Sequence, residues 1–91
     1  MINLLNNDYL NNFQSLQKAR KDLIGEIEAI IQYDEHAINS SNIIEKQTWL
    51  NIKNEELAHI GELLALINFL NPEQKKYVEK GIKEFEEIIK R

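Results

Sequence analysis

The alternation of apolar and polar side chains divides the chain into three helical segments. From about residue 8 to residue 38, Leu16, Leu23, Ile27, Ile30, Ile31 and Ile38 recur at the spacing of a helix with one buried side. Asp8 is the expected N-cap. Asn39-Ser40-Ser41-Asn42 closes the segment, because short polar side chains compete with the helix for backbone hydrogen bonds. Ser41 or Asn42 then caps a second helix over about 43–70, and Asn42 with Glu45 has capping-box spacing. Asn71-Pro72 stops it, since the residue before proline is pushed out of helical geometry. Pro72 followed by Glu73 opens a third helix over about 73–90, with Tyr77, Val78, Ile82, Phe85, Ile88 and Ile89 as its apolar positions. The reading is one all-α domain, 1–91, built as an antiparallel two-helix hairpin plus a C-terminal helix.

Helices of roughly thirty residues are rods of about 45 Å. Two such rods cannot enclose a core, so the pattern predicts that two hairpins dock into a four-helix bundle. An obligate homo-oligomer, a dimer or larger, is therefore expected. Charge narrows the partners. Eleven Lys and Arg against fifteen Asp and Glu leave a net charge of −4. That balance argues against nucleic acid and anionic membranes, which select basic patches, and favours cations. The acidic excess lies up to residue 71, with five basic and ten acidic groups; beyond it there are six and five. Without cysteine the chain has no disulfide, thiolate ligand or thiol nucleophile. Met1 to Tyr9 lacks the basic and apolar regions of a signal peptide, and no apolar run matches a bilayer. A cytoplasmic protein is expected.

Two polar residues fall where the core should be. Trp49, Ile52, Ile60, Leu63, Leu66, Ile67 and Leu70 trace an apolar arc on the second helix, and Glu56 and His59 lie near its middle. A carboxylate and an imidazole at i and i+3 share a face, so both can hold one cation. Burying the carboxylate unpaired costs several kcal/mol. The other reading of the same pair is a hydrogen-bonded Glu56–His59 contact that sets helix register.

On the first helix, Ala19, Leu23, Glu26, Ile30, Tyr33 and Ala37 form a stripe with steps of 4, 3, 4, 3 and 4. Glu26 sits toward its border, and Tyr33 reads as a core aromatic with its hydroxyl at the edge. Glu28 projects from the opposite border into solvent. His36 falls on the polar side. Asp34 lands in the apolar arc and is expected to bond a backbone or basic group, and Trp49 is expected in core or interface packing. Gly25 and Gly61 each cost about 1 kcal/mol against alanine within a helix. They are read as sites of close helix contact.

One chain thus offers a Glu from one helix and a Glu-x-x-His from the next. That is half the ligand set of a carboxylate-bridged di-iron bundle, and a two-fold dimer supplies the whole. Carboxylate and imidazole donors without thiolate suit iron or manganese, and zinc or cobalt can occupy such sites as well.

The stretch Ala19-Arg20-Lys21-Asp22-Leu23-Ile24-Gly25-Glu26-Ile27-Glu28-Ala29-Ile30-Ile31-Gln32-Tyr33 resembles the first long helix of the encapsulated ferritins. Asn54-Glu55-Glu56-Leu57-Ala58-His59-Ile60-Gly61-Glu62-Leu63-Leu64 resembles their second. The resemblance covers roughly residues 16–85. It implies a half-ferritin whose dimers rebuild a ferritin-like four-helix bundle and assemble into a decameric ring inside an encapsulin shell, in the cytoplasm. It implies that Glu26, Glu56 and His59 are the iron ligands and catalytic residues, that Tyr33 is the catalytic-site tyrosine, and that Glu28 lies on the iron-access path. The reaction implied is ferroxidation of Fe(II) to Fe(III) by dioxygen. Gly25 departs from the pattern, since relatives often carry an acid there. Two other functions compete: a di-iron oxygenase-like protein, which needs an apolar substrate pocket, and a non-enzymatic helical assembly module, which needs no metal.

Overall fold

A computed structural model describes the backbone of residues 2–91 and the side chains of residues 11–91. Three α-helices and no strand make up the described residues: α1 (Ile2–Asn39), α2 (Ile43–Leu70) and α3 (Pro72–Lys90). The Met1–Tyr9 segment read for targeting signals lies outside the described side chains. Helix α1 starts at Ile2, ahead of the start expected at Asp8. Once downstream turns exist, each added residue closes one more backbone hydrogen bond, so a helix runs on through good formers such as Leu4 and Leu5.

The other ends follow local chemistry. Between Ser41 and Asn42, the structure selects Asn42 as the cap of α2: its Oδ1 accepts from the backbone N–H of Ile44 at 2.8 Å and of Glu45 at 3.1 Å. Asn71 serves two helices. Its backbone N–H donates to the Ile67 carbonyl at the end of α2, and its side chain accepts from the Gln74 N–H at the start of α3. Pro72 occupies the first position of α3, where a missing N–H costs nothing.

Helices α1 and α2 form an antiparallel hairpin. Contacts pair Leu16 and Ala19 with Ile67 far from the turn, Glu26 with His59 midway, and Asp34 with Lys53 near the turn. On α1 the seam runs through Leu16, Ala19, Leu23, Glu26, Ile30, Tyr33 and Ala37, a coiled-coil spacing of alternating threes and fours. Among the described residues only Leu16, Ala19, Ala37 and Ile67 are buried hydrophobics.

Helix α3 leaves the hairpin after its first turn, held there by Arg20, which donates to Gln74 and to Gln17. The apolar positions of α3 all stay exposed, Tyr77 to Ile89 included. The chain is a flat layer, 62 × 39 × 14 Å, with a radius of gyration of 18.1 Å. A compact chain of this length has about 12 Å. The close contacts read at Gly25 and Gly61 do not form within the chain: a Cβ built at either meets nothing within 4 Å. Both lie outside the α1–α2 seam. Among the described residues, no helix is long and apolar enough to cross a membrane.

Two substitutions test this packing. Ile67→Ala is expected to lose about 2–5 kcal/mol by emptying the core, read as a lower urea midpoint. Gly61→Ala meets no atom within the chain and is expected to stabilise the helix by up to about 1 kcal/mol, read as a higher urea midpoint.

Candidate metal centre

The α1–α2 seam brings three ligand-bearing side chains to one point. Glu26 comes from α1; Glu56 and His59 come from successive turns of α2. Their ligand atoms all lie within 4.8 Å of one another, the one such group of three or more among the described residues. His59 Nδ1 is 3.6 Å from Glu26 Oε1 and 3.5 Å from Glu56 Oε2. Both distances exceed a normal hydrogen bond. They match the separation of two donors around one first-row ion with bonds of about 2.1 Å.

Burial sharpens the case. The Glu26 and Glu56 side chains are 22% and 20% exposed, whereas His59 is 52% exposed. The pair read as core residues is therefore split: the carboxylates sink into the seam and the imidazole stands at its rim. Glu26 Oε2 is buried and has no hydrogen-bond partner. An orphaned carboxylate oxygen is costly in a half-dry setting, and a cation would satisfy it. The residues present fit a hard or borderline divalent ion.

Glu26 and His59 border an open groove of about 510 Å³, also lined by Lys21, Asp22, Gly25, Glu62 and Leu63, while Glu56 lies behind them. Sequence reasoning missed Asp22 and Glu62 as its neighbours. The signal was present, since Asp22 lies one turn before Glu26 and Glu62 one turn after His59. Gly25 forms part of the wall, so the position where an acid was anticipated contributes no charge. Glu28 is exposed and is not among the groove's lining residues.

Tyr33 is not part of this cluster. It lies seven residues beyond Glu26, about 10.5 Å along the helix. Its ring stacks on Trp49, with centroids 5.8 Å apart and planes inclined by 18°. His36, though exposed, packs 4.8 Å from Trp49 and 6.3 Å from Tyr33, ring centre to ring centre. The Trp49 indole N–H donates to Glu45 Oε1 at 3.3 Å. Asp34 takes the basic partner anticipated for it, Lys53, at 3.0 Å.

The chain is 35% identical over 69 residues, 76% of its length, to a ferritin-like–encapsulin shell fusion protein of Pyrococcus furiosus. The match spans only 20% of that protein. The relationship is to an encapsulin-associated ferritin-like protein, at a distance. No protein-family profile matches the chain, and no solved structure does.

The geometry predicts that a divalent cation binds the folded chain and stabilises it by mass action. At about a hundred times the dissociation constant the gain is roughly 2.7 kcal/mol. Differential scanning of metal-free protein with added Mn(II) or Fe(II) is expected to show an upward shift in Tm. Glu26→Gln and His59→Ala are expected to keep the helical circular dichroism and lose the shift.

Proposed function

We propose that the chain is a ferroxidase that oxidises Fe(II) to Fe(III) across a dimer interface, supplying iron for storage in an encapsulin compartment. The orphaned, buried Glu26 Oε2, clustered with Glu56 and His59 where Glu26 and His59 border an open groove, is the observation that carries this reading. Three donors cannot complete the coordination shell of an iron ion, and the open side of the groove leaves room for the same three from a second copy. Two-fold pairing then assembles four carboxylates and two imidazoles around two ions, the ligand balance of carboxylate di-iron bundles.

The chemistry follows from the charges. Glu26 and Glu56 bring negative charge into a partly dry seam, and that charge stabilises Fe(III) more than Fe(II). Their rigid placement on two long helices means that little reorganises when the ion's charge rises. His59, at the rim, would add an imidazole donor on the solvent side of the two carboxylates. Asp22 and Glu62 give the groove an acidic lining through which Fe(II), here the substrate, reaches the seam.

Packing supports the dimer independently. In a layer 14 Å thick, the described residues include four buried hydrophobics and leave most of their large apolar side chains facing water. Ile24, Ile27, Ile31, Leu57 and Leu64, along with the apolar side of α3, are exposed. Exposed patches of this size mark association surfaces. The shell association is supported by the name of the Pyrococcus furiosus relative, which joins a ferritin-like part to an encapsulin shell, and an encapsulated cytoplasmic location is part of the proposal. A decameric ring is part of the same proposal.

The oxygenase reading is disfavoured by the groove itself. Leu63 is the one large apolar side chain lining it, so an organic substrate finds little wall.

Anaerobic titration of metal-free protein with Fe(II), followed by dioxygen, tests the proposal. Saturation near one iron per chain and rapid appearance of Fe(III) absorbance are expected. Glu56→Ala and His59→Ala should bring oxidation down to the buffer rate with the helices intact. Absence of stoichiometric binding in the native protein would reduce Glu56 and His59 to residues that set helix register.

A further inference from the structure

One seven-residue repeat from the Glu26–Glu56 level, the seam carries a second pairing of reactive side chains. Tyr33 is seven residues after Glu26 and Trp49 is seven before Glu56. On antiparallel helices both lie about 10.5 Å nearer the hairpin turn. Their rings stack at 5.8 Å. Helical side chains lean toward the N-terminus of their own helix. Tyr33 therefore leans back toward the carboxylates, while Trp49 leans toward the turn. The two rings mark a line from the half-buried carboxylates to the exposed end of the hairpin. There the indole N–H meets the Glu45 carboxylate at 3.3 Å, and the His36 ring stands 4.8 Å from Trp49.

Phenol and indole are the aromatic side chains most readily oxidised by one electron, and neutral radicals of both require loss of a proton. Glu45 is placed to take the indole proton. We propose that Tyr33 and Trp49 form an electron relay that supplies dioxygen reduction at the Glu26–Glu56–His59 site from the exposed end of the hairpin. The relay rests on the ferroxidase reading.

The electrons balance as follows. Dioxygen needs four electrons and four protons to become two waters. Two Fe(II) ions held by a pair of triads give two electrons, and with two solvent protons the product is hydrogen peroxide. Each chain then supplies one electron more. Tyr33 of each of the two chains gives one electron toward peroxide, its phenolic proton leaving to solvent while peroxide takes one from solvent. The two electrons together break the O–O bond to two waters and leave a phenoxyl radical on each chain. Trp49 returns an electron to that radical, which takes a proton from water, while the indole proton passes to Glu45. The indolyl radical then takes an electron from a further Fe(II) in solution and its proton back from Glu45. The sum is one peroxide, two Fe(II) and two solvent protons converted to two waters and two Fe(III).

Trp49 is the single tryptophan, so azide radicals generated by pulse radiolysis in metal-free protein place the oxidation on it selectively. Conversion of indolyl to phenoxyl absorbance, which reads the coupling of the two rings by the transfer opposite in sense to the relay step, should be first order and independent of protein concentration, and Tyr33→Phe should abolish it. Decay by second-order kinetics alone would overturn the relay whatever iron does. In the second arm, native protein, Y33F and W49F are first titrated with Fe(II), then given excess Fe(II) and dioxygen. Peroxide release and freeze-quenched electron paramagnetic resonance are read. Equal iron binding, an organic radical in the native protein and a several-fold rise in peroxide from both variants are expected. E45Q, which keeps the stack and removes the proton acceptor, should slow the indole step. Iron oxidation with no organic radical and no extra peroxide in the variants would overturn the relay and leave the ferroxidase standing. Failure at the titration would overturn both.

Discussion

The α1–α2 seam repeats every seven residues, and the position of every chemically active side chain follows from that period. Apolar residues at alternating steps of three and four hold two antiparallel helices in one register. With the register set, whatever polar residue occupies a seam position meets its counterpart across the hairpin. Glu26 on α1 and Glu56 on α2 are such residues, and His59 joins them from the next turn. Slippage of the hairpin by one turn would part the carboxylates by about 5 Å and dissolve the cluster. The apolar contacts on either side, Leu16 and Ala19 against Ile67 on one and Ala37 near the turn on the other, act as clamps on that register.

How far the sequence could be read depended on the range of the interaction involved. Helix ends set by adjacent residues were legible: Asn71-Pro72 separates α2 from α3 through steric effects that need no tertiary partner. Asp8 misled because a cap competes with simple propagation, and nothing local stops α1 there. Glu56 and His59 were visible because both interrupt an apolar arc on one helix. Glu26 was ambiguous because its place at the border becomes a place in the seam only once α2 lies against it. Tyr33 was legible as a core-edge aromatic, yet its partners Trp49 and His36 depend on which α2 residue faces which α1 residue. Gly25 and Gly61 were read as contact points from their cost alone, and the structure leaves open space beside both.

The seam and the outer faces divide the work of the molecule. Inside the hairpin a narrow strip of side chains fixes geometry; outside it, large apolar residues such as Ile24, Ile31 and Leu57 contribute nothing until another surface covers them. A site at the rim of the hairpin, with two carboxylates sunk and one imidazole exposed, has the form of a half waiting for its counterpart.

Asn71 gives the chain a lever. A single residue separates α2 from α3, and it caps both. The 19 residues of α3 make an arm about 28 Å long. Rotating that arm by about 10° at Asn71 carries its far end through roughly 5 Å, one full helical turn. Arg20 and Gln74 act close to the pivot, where a brace has least purchase. Where the apolar side of α3 points is thus decided by two backbone angles. A change at that one joint would swing the apolar side of α3 to a new direction while leaving the hairpin and its clustered side chains where they are.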